Sequence, residues 1–95
     1  MGIRLVVSMQ ALPGKREVFI EESRQNAARV QNEKGCIEFK YLQDIEDPDN
    51  FILLENWADQ ESLELHWEGL RSRPSRSEEI RIMHGMERYE YTEGN

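Results

Sequence analysis

The chain has 95 residues, of which 38% are hydrophobic and 33% are charged, and its net charge is −7. These values indicate one globular domain with a charged exterior, and they argue against a nucleic-acid binder, which needs clustered lysines and arginines. No stretch approaches the roughly 18 uninterrupted apolar residues that cross a membrane, and a single cysteine excludes an intrachain disulfide. We therefore expect a cytoplasmic protein with one domain over residues 1–95, in which about residues 93–95 form a frayed tail.

The first third of the chain predicts a strand followed by a helix. Ile3–Met9 is rich in β-branched residues and is bounded by the turn residues Pro13 and Gly14. A helix is predicted from Lys15 to about Asn32, and Gly35 beyond it suits a helix C-cap with positive φ. The apolar face of this helix is predicted to contain Val18, Phe19, Ile20, Ala27, Ala28 and Val30.

The middle of the chain predicts a hairpin. In Cys36–Asp44 the residues Ile37, Phe39 and Tyr41 alternate with charged ones, which is typical of a strand with one buried face. A turn rich in Asp, Pro and Asn follows. Phe51–Trp57 is apolar on both faces, so we expect both faces of this second strand to be covered.

The last third predicts a helix, an irregular segment and a final strand. Asp59 is a suitable N-cap, and residues 69–77 are polar and predict a loop or a broken helix. Strand character returns from Ile80, and a change of parity around Gly85 indicates a β-bulge. The apolar stripe of the helix, predicted to face the sheet, consists of Leu63, His66, Trp67 and Leu70.

The resulting order, β-α-β-β-α-β, is the ferredoxin-like α+β arrangement of a four-stranded antiparallel sheet with two helices on one face. That arrangement leaves the second face of the sheet without a cover. Because the central strands are apolar on both sides, we expect a symmetric homodimer in which two sheets pack face to face.

The stretch from Gly35 to His66 combines several short motifs in a fixed order. They are Gly35-Cys36, Gln43-Asp44, Asp47-Pro48, Glu55 with Trp57, and Asp59 with Leu63 and His66. This run closely resembles the signature stretch of the antibiotic biosynthesis monooxygenase domain family. The chain departs from the family pattern after His66, where a polar segment with a proline replaces an apolar helical one.

The resemblance implies a dimeric α/β barrel built from two ferredoxin-like protomers. It also implies a monooxygenase that oxidises a small aromatic phenol, quinol or anthrone-like substrate with O2 and uses neither metal nor flavin. In such a site His66 would be the base or proton donor, and Glu55 would orient it or serve as a second base. Trp57 and Trp67 would wall the aromatic substrate, and Tyr41 would donate to the developing anion.

Each of these residues also has a structural interpretation. His66 on an apolar helix face is equally consistent with a core histidine, and Trp57 and Trp67 with core anchors. Glu55 would then be paired with an arginine, and Tyr41 would fill the dimer interface. On that interpretation the protein is a non-catalytic dimeric domain that binds a small ligand.

Three further possibilities depend on fewer residues. His66 and His84 with a glutamate would suit a two-histidine, one-carboxylate iron site, although nothing in the sequence brings them together. A haem-degrading family member would be expected to carry an asparagine in the first strand, where this chain has "VVSMQ". A cluster of three arginines would hold an anionic substrate tail or form a solvated loop: Arg71, Arg73 and Arg76.

Overall fold

The computed structural model describes residues 1–73 and 77–92, without the side chain of Ser77. In chain order the elements are β1 (Gly2–Ala11), α1 (Arg16–Val30), β2 (Cys36–Gln43), β3 (Asn50–Trp57), α2 (Gln60–Ser72), α3 (Ser77–Ile80) and β4 (Arg81–Tyr91). The four strands form one sheet in the order β2-β3-β1-β4, and every neighbouring pair is antiparallel. The predicted ferredoxin-like order and the predicted hairpin are confirmed. The predicted tail at 93–95, Pro74 and Arg76 lie outside the described residues.

The core lies between the helices and one face of the sheet. Along β1 every second residue is buried, which is the period of a strand with one covered face. These residues meet Phe19 and Val30 from α1 and Leu63 from α2. The buried side chains of the strands are Ile3, Leu5, Val7, Met9, Ala11, Phe39, Phe51, Leu53 and Trp57.

The other face of the sheet, here called the open face, is covered by none of the helices in the described part of the chain. Along the central strands it presents the half-buried side chains of Val6, Ser8, Gln10, Ile52 and Leu54. It therefore combines aliphatic side chains with a few polar ones at the centre of the sheet.

Two β-bulges within the described strands shift the pairing register, one in β2 and one in β4. Cys36 pairs with Trp57 and Glu38 with Asn56, so Ile37 between them has no partner of its own and is 58% exposed. The prediction that Ile37 shares the buried face of Phe39 and Tyr41 is therefore wrong, because one extra residue shifts the alternation.

The predicted bulge near Gly85 is confirmed. Met83 pairs with Met9 and Gly85 with Ser8, so His84 is the extra residue of β4. The bulge returns the later part of β4 to register with β1.

The helices differ from the prediction at their ends. α1 ends at Val30. Ala28 is exposed and does not belong to the buried face as predicted, because it lies at the margin of the apolar stripe. α2 continues to Ser72, through the first part of the segment predicted as loop or broken helix, and Leu70 near its end is 44% exposed. Ile80 ends the short helix α3 and is buried there, instead of starting β4.

The junction between α1 and β2 touches the start of α2. Gly35 has φ +78°, in the left-handed region that glycine tolerates best. A Cβ atom on Gly35 would lie 2.0 Å from Oγ and 2.3 Å from Cβ of Ser62. The same junction accepts a backbone hydrogen bond of 2.8 Å from Ala58 N to Gly35 O. The absence of a side chain at Gly35 therefore allows α2 to pack directly on the junction.

Candidate functional site

His66 is buried between α2 and the sheet, with 4% of its surface exposed. Its Nδ1 lies 2.7 Å from Oε1 of Glu33, which belongs to the junction after α1. Its ring stacks on the indole of Trp57 with a centroid distance of 4.8 Å and an interplanar angle of 30°. Phe39 contacts the same ring edge-on at 5.8 Å. The prediction that His66 faces the sheet is confirmed.

Local structure explains how Glu33 reaches His66. Asp59 caps α2 as predicted and accepts a hydrogen bond of 2.8 Å from Ser62 N, which sets where the helix starts. Ser62 then rests on Gly35, two residues after Glu33. His66 lies one turn further along α2, so its ring comes level with the Glu33 carboxylate.

Sequence reasoning missed Glu33. It lies just after a helix rich in charged residues, where a glutamate is normally solvated, and no motif connects it with His66, 33 positions away. The only signal was Gly35, whose close packing brings the two segments together.

Glu55 is also buried, with 6% of its surface exposed. Its Oε1 accepts a hydrogen bond of 2.9 Å from Nε1 of Trp57, so its partner is an indole and not the arginine considered from the sequence. Burial raises the pKa of the Glu55 carboxyl above its ordinary value, and the indole N–H and nearby His66 offset part of that rise.

Glu33, His66, Trp57 and Glu55 thus form one cluster, here called the His66 cluster. Because Nδ1 of His66 is engaged by a carboxylate, Nε2 is the ring nitrogen left to exchange a proton with another group. A carboxylate that orients an imidazole is the arrangement that general acid–base sites use. The buried Glu55 adds a second group that can take up or release a proton.

The other two predicted substrate-binding residues lie further away. Trp67 follows His66 on α2 and is half-buried against the core. Tyr41 lies beyond Phe39, with a ring centroid distance of 5.9 Å between the two, and its hydroxyl accepts a hydrogen bond of 2.8 Å from Nδ2 of Asn26. The structure therefore brings His66, Trp57 and Glu55 into contact, and it separates Tyr41 from them by one aromatic ring.

Two surface cavities are lined by residues within 1–73 and 77–92. One of about 540 Å³ lies on the open face and is lined by Ser8, Gln10, Ile52 and His84, among others. The second, of about 370 Å³, lies between α1 and β2 and includes Tyr41. Neither of these two cavities is lined by a member of the His66 cluster.

The two histidines lie on opposite faces of the sheet. His66 packs on the helix side, whereas Nε2 of His84 lies 3.0 Å from Oε1 of Gln10 on the open face. They therefore do not share a ligand set, and no group of three His, Cys, Asp or Glu side chains among residues 1–73 and 77–92 is arranged to hold a metal ion.

Of the three clustered arginines, Arg71 is exposed at the end of α2 and Arg73 is half-buried just after it. Arg76 lies outside the described residues. None of the helices within the described part of the chain has the length and apolar character needed to span a membrane.

Comparison with known proteins assigns the family. The profile of the family "Antibiotic biosynthesis monooxygenase" matches residues 2–69. A Bacillus subtilis relative named "Putative monooxygenase YcnE" is 26% identical over 64 residues, which are 67% of each chain. The crystal structure of PA3566 from Pseudomonas aeruginosa superposes with a TM-score of 0.77 at 26% identity, covering 99% of this chain and 95% of that one. A conserved protein of unknown function from Bacteroides thetaiotaomicron gives a TM-score of 0.78 at 26% identity, with 95% and 97% covered. The chain belongs to the antibiotic biosynthesis monooxygenase family.

Proposed function

We propose that this protein is a monooxygenase that oxidises a small aromatic phenol, quinol or anthrone-like compound with O2, without metal or flavin. The observation that carries the proposal is the pairing of His66 Nδ1 with the Glu33 carboxylate at 2.7 Å, on a ring stacked against Trp57. Family membership supports oxygenase chemistry, and this pairing supplies the proton-transfer group that such chemistry needs.

The reaction requires no external electron donor. When a methylene carbon of an anthrone becomes a carbonyl, the substrate gives up four electrons, one oxygen atom enters the product and the other leaves as water. The first step is loss of a proton, because the resulting anion can pass an electron to O2. The radical pair then combines to a peroxide, which loses water to give the carbonyl.

The His66 cluster can serve both proton transfers. Nε2 of His66 would accept the proton of the substrate, while the Glu33 carboxylate orients the ring and stabilises the imidazolium that forms. The same imidazolium would return a proton to the leaving oxygen of the peroxide. Glu55, whose pKa is raised by burial, would serve as the second proton carrier. The half-buried indole of Trp67 would contact the aromatic ring of the substrate, and the buried indole of Trp57 would support the ring of His66 on which it stacks.

The test is oxygen consumption by metal-stripped protein, without added cofactor, on a panel of hydroquinones, naphthols and anthrones. Each rate is compared with autoxidation of the compound and with heat-denatured protein. We expect a protein-dependent rate that falls by about 100-fold or more in His66→Ala, the usual contribution of a general acid–base group. A rate within about twofold of wild type in that variant would remove His66 from the mechanism.

Two further variants sharpen the test. His84→Ala removes the other histidine, which lies on the open face, and we expect it to keep the wild-type rate. Glu33→Gln keeps an acceptor for Nδ1 but removes the charge, so its rate should fall between those of wild type and His66→Ala. Circular dichroism of each variant checks that loss of activity is not loss of fold.

One observation favours the ligand-binding alternative. The cavities of about 540 Å³ and 370 Å³ are lined by residues outside the His66 cluster. A small ligand can therefore be accommodated away from His66. A non-catalytic dimeric domain that binds a small ligand is therefore the second candidate. It would be supported if no compound of the panel gave a protein-dependent rate while small molecules still bound.

We also propose that the open face packs against a second copy of the chain. The aliphatic side chains of Val6, Ile52 and Leu54 lie at the centre of this face, where no element of the chain's own described residues covers them. A symmetric dimer would bury them against the same residues of its partner and would enclose the 540 Å³ cavity between two sheets.

A further inference from the structure

The cavity between α1 and β2 is built like a small-molecule site. Its volume of about 370 Å³ is in the range of known ligand pockets. Apolar walls come from Ile20 and Ala27 on α1, from the ring of Tyr41 and from Phe51. The Phe51 ring is fixed by Phe19 at a centroid distance of 4.6 Å, so the cavity presents a rigid aromatic surface.

Polar groups meet at one side of this cavity. The Tyr41 hydroxyl accepts a hydrogen bond of 2.8 Å from Asn26 Nδ2. It keeps one proton of its own, which it can donate to the neighbouring Ser23 hydroxyl or to a ligand. Burial raises the pKa of Tyr41, so the phenol stays neutral and acts as a donor. Ser23 adds a buried hydroxyl to the same lining.

One residue that lines the cavity, Arg24, is a positively charged side chain without an ion pair among the described residues. By contrast, Arg4 and Arg16 are paired with Glu38 and Asp49. In a chain with a net charge of −7, an unpaired guanidinium beside an apolar cavity marks a place for an anion. The planar fork of arginine matches the two oxygens of a carboxylate.

We propose that this cavity binds a small aromatic carboxylate, with its ring against Phe51 and α1 and its carboxylate between the Tyr41 hydroxyl and Arg24. The site is separate from the His66 cluster, because Phe39 stands between Tyr41 and His66, at 5.9 Å and 5.8 Å. The inference therefore does not rest on the monooxygenase proposal.

The first test is calorimetric titration of the full chain with 2-naphthoate and with its neutral isostere 2-naphthamide. We expect saturable binding of naphthoate, about tenfold tighter than that of the amide, because charge-assisted hydrogen bonds are the stronger ones. Arg24→Gln should weaken naphthoate binding by about the same factor and leave the amide unchanged. Lys15→Gln is the matched control, since it removes one exposed positive charge from the same segment away from the cavity.

The second test locates the ligand. Amide chemical shifts in ¹H–¹⁵N spectra should change on addition of naphthoate at Ser23, Ala27 and Tyr41. Changes centred on His66 and Trp57 instead would place the ligand in the other cluster and overturn the proposal. So would the absence of saturable binding in wild type, or an equal affinity of Arg24→Gln and Lys15→Gln. Loss of oxygenase activity alone would leave this site unaffected, so the two proposals fail separately.

Discussion

Gly35→Ala tests how the junction after α1 is packed against α2. The substitution has two costs. An alanine at φ +78° lies in the left-handed region, which costs an L-residue roughly 1–2 kcal/mol. Its Cβ would also lie 2.0 Å from Oγ of Ser62, and relieving such overpacking costs about 1–3 kcal/mol. We therefore expect the free energy of unfolding to fall by about 2–5 kcal/mol.

Gly14→Ala is the matched control. Gly14 has φ +76°, nearly the same backbone conformation, but a Cβ atom there would meet nothing within 4 Å. Its loss of stability should therefore be roughly the 1–2 kcal/mol of the backbone alone. The difference between the two variants measures the contact with Ser62.

The assay is urea unfolding followed by tryptophan fluorescence and circular dichroism, at one protein concentration because association adds to apparent stability. Ser62→Gly, made alone and together with Gly35→Ala, completes a double-mutant cycle. We expect the double variant to be more stable than the sum of the single effects by about 1–3 kcal/mol. If Gly35→Ala and Gly14→Ala agreed within about 0.5 kcal/mol, the packing argument would be refuted.

Two other predictions concern Glu55 and the open face. Burial raises the pKa of Glu55, so the wild-type protein loses stability as the pH rises through that pKa, whereas Glu55→Gln does not ionise. In urea unfolding, the free energy of unfolding of Glu55→Gln minus that of wild type should therefore be larger at about pH 7 than at about pH 4. An equal difference at both pH values would contradict the assignment. Leu54→Lys should convert a dimer to a monomer in light scattering after size exclusion, while Leu65→Lys, on an exposed position of α2, should not. A wild-type monomer, or equal behaviour of the two variants, would argue against the open face as the interface.

Much of the fold could be predicted because its signals are local. The strands follow the two-residue period of their buried faces, and α2 begins directly after Asp59 because an aspartate there satisfies the backbone N–H of Ser62. The bulge near Gly85 was visible as a change of parity within one segment. The bulge at Ile37 could not be predicted from the sequence, because its apolar side chain fits the alternation and only pairing with β3 reveals the extra residue.

For the candidate site, the sequence by itself determined the residue types and the side of α2 that faces the sheet. His66 lies on the apolar stripe that begins at Leu63, so helical periodicity alone places it against the core. Only the tertiary structure decided which side chains contact that histidine. Glu33 reaches Nδ1 because Gly35 lets α2 pack on the junction, and Tyr41 is set apart because Phe39 lies between the two rings. Such contacts join segments far apart in the chain, and no local pattern encodes which polar side chains will meet when two packed elements come together.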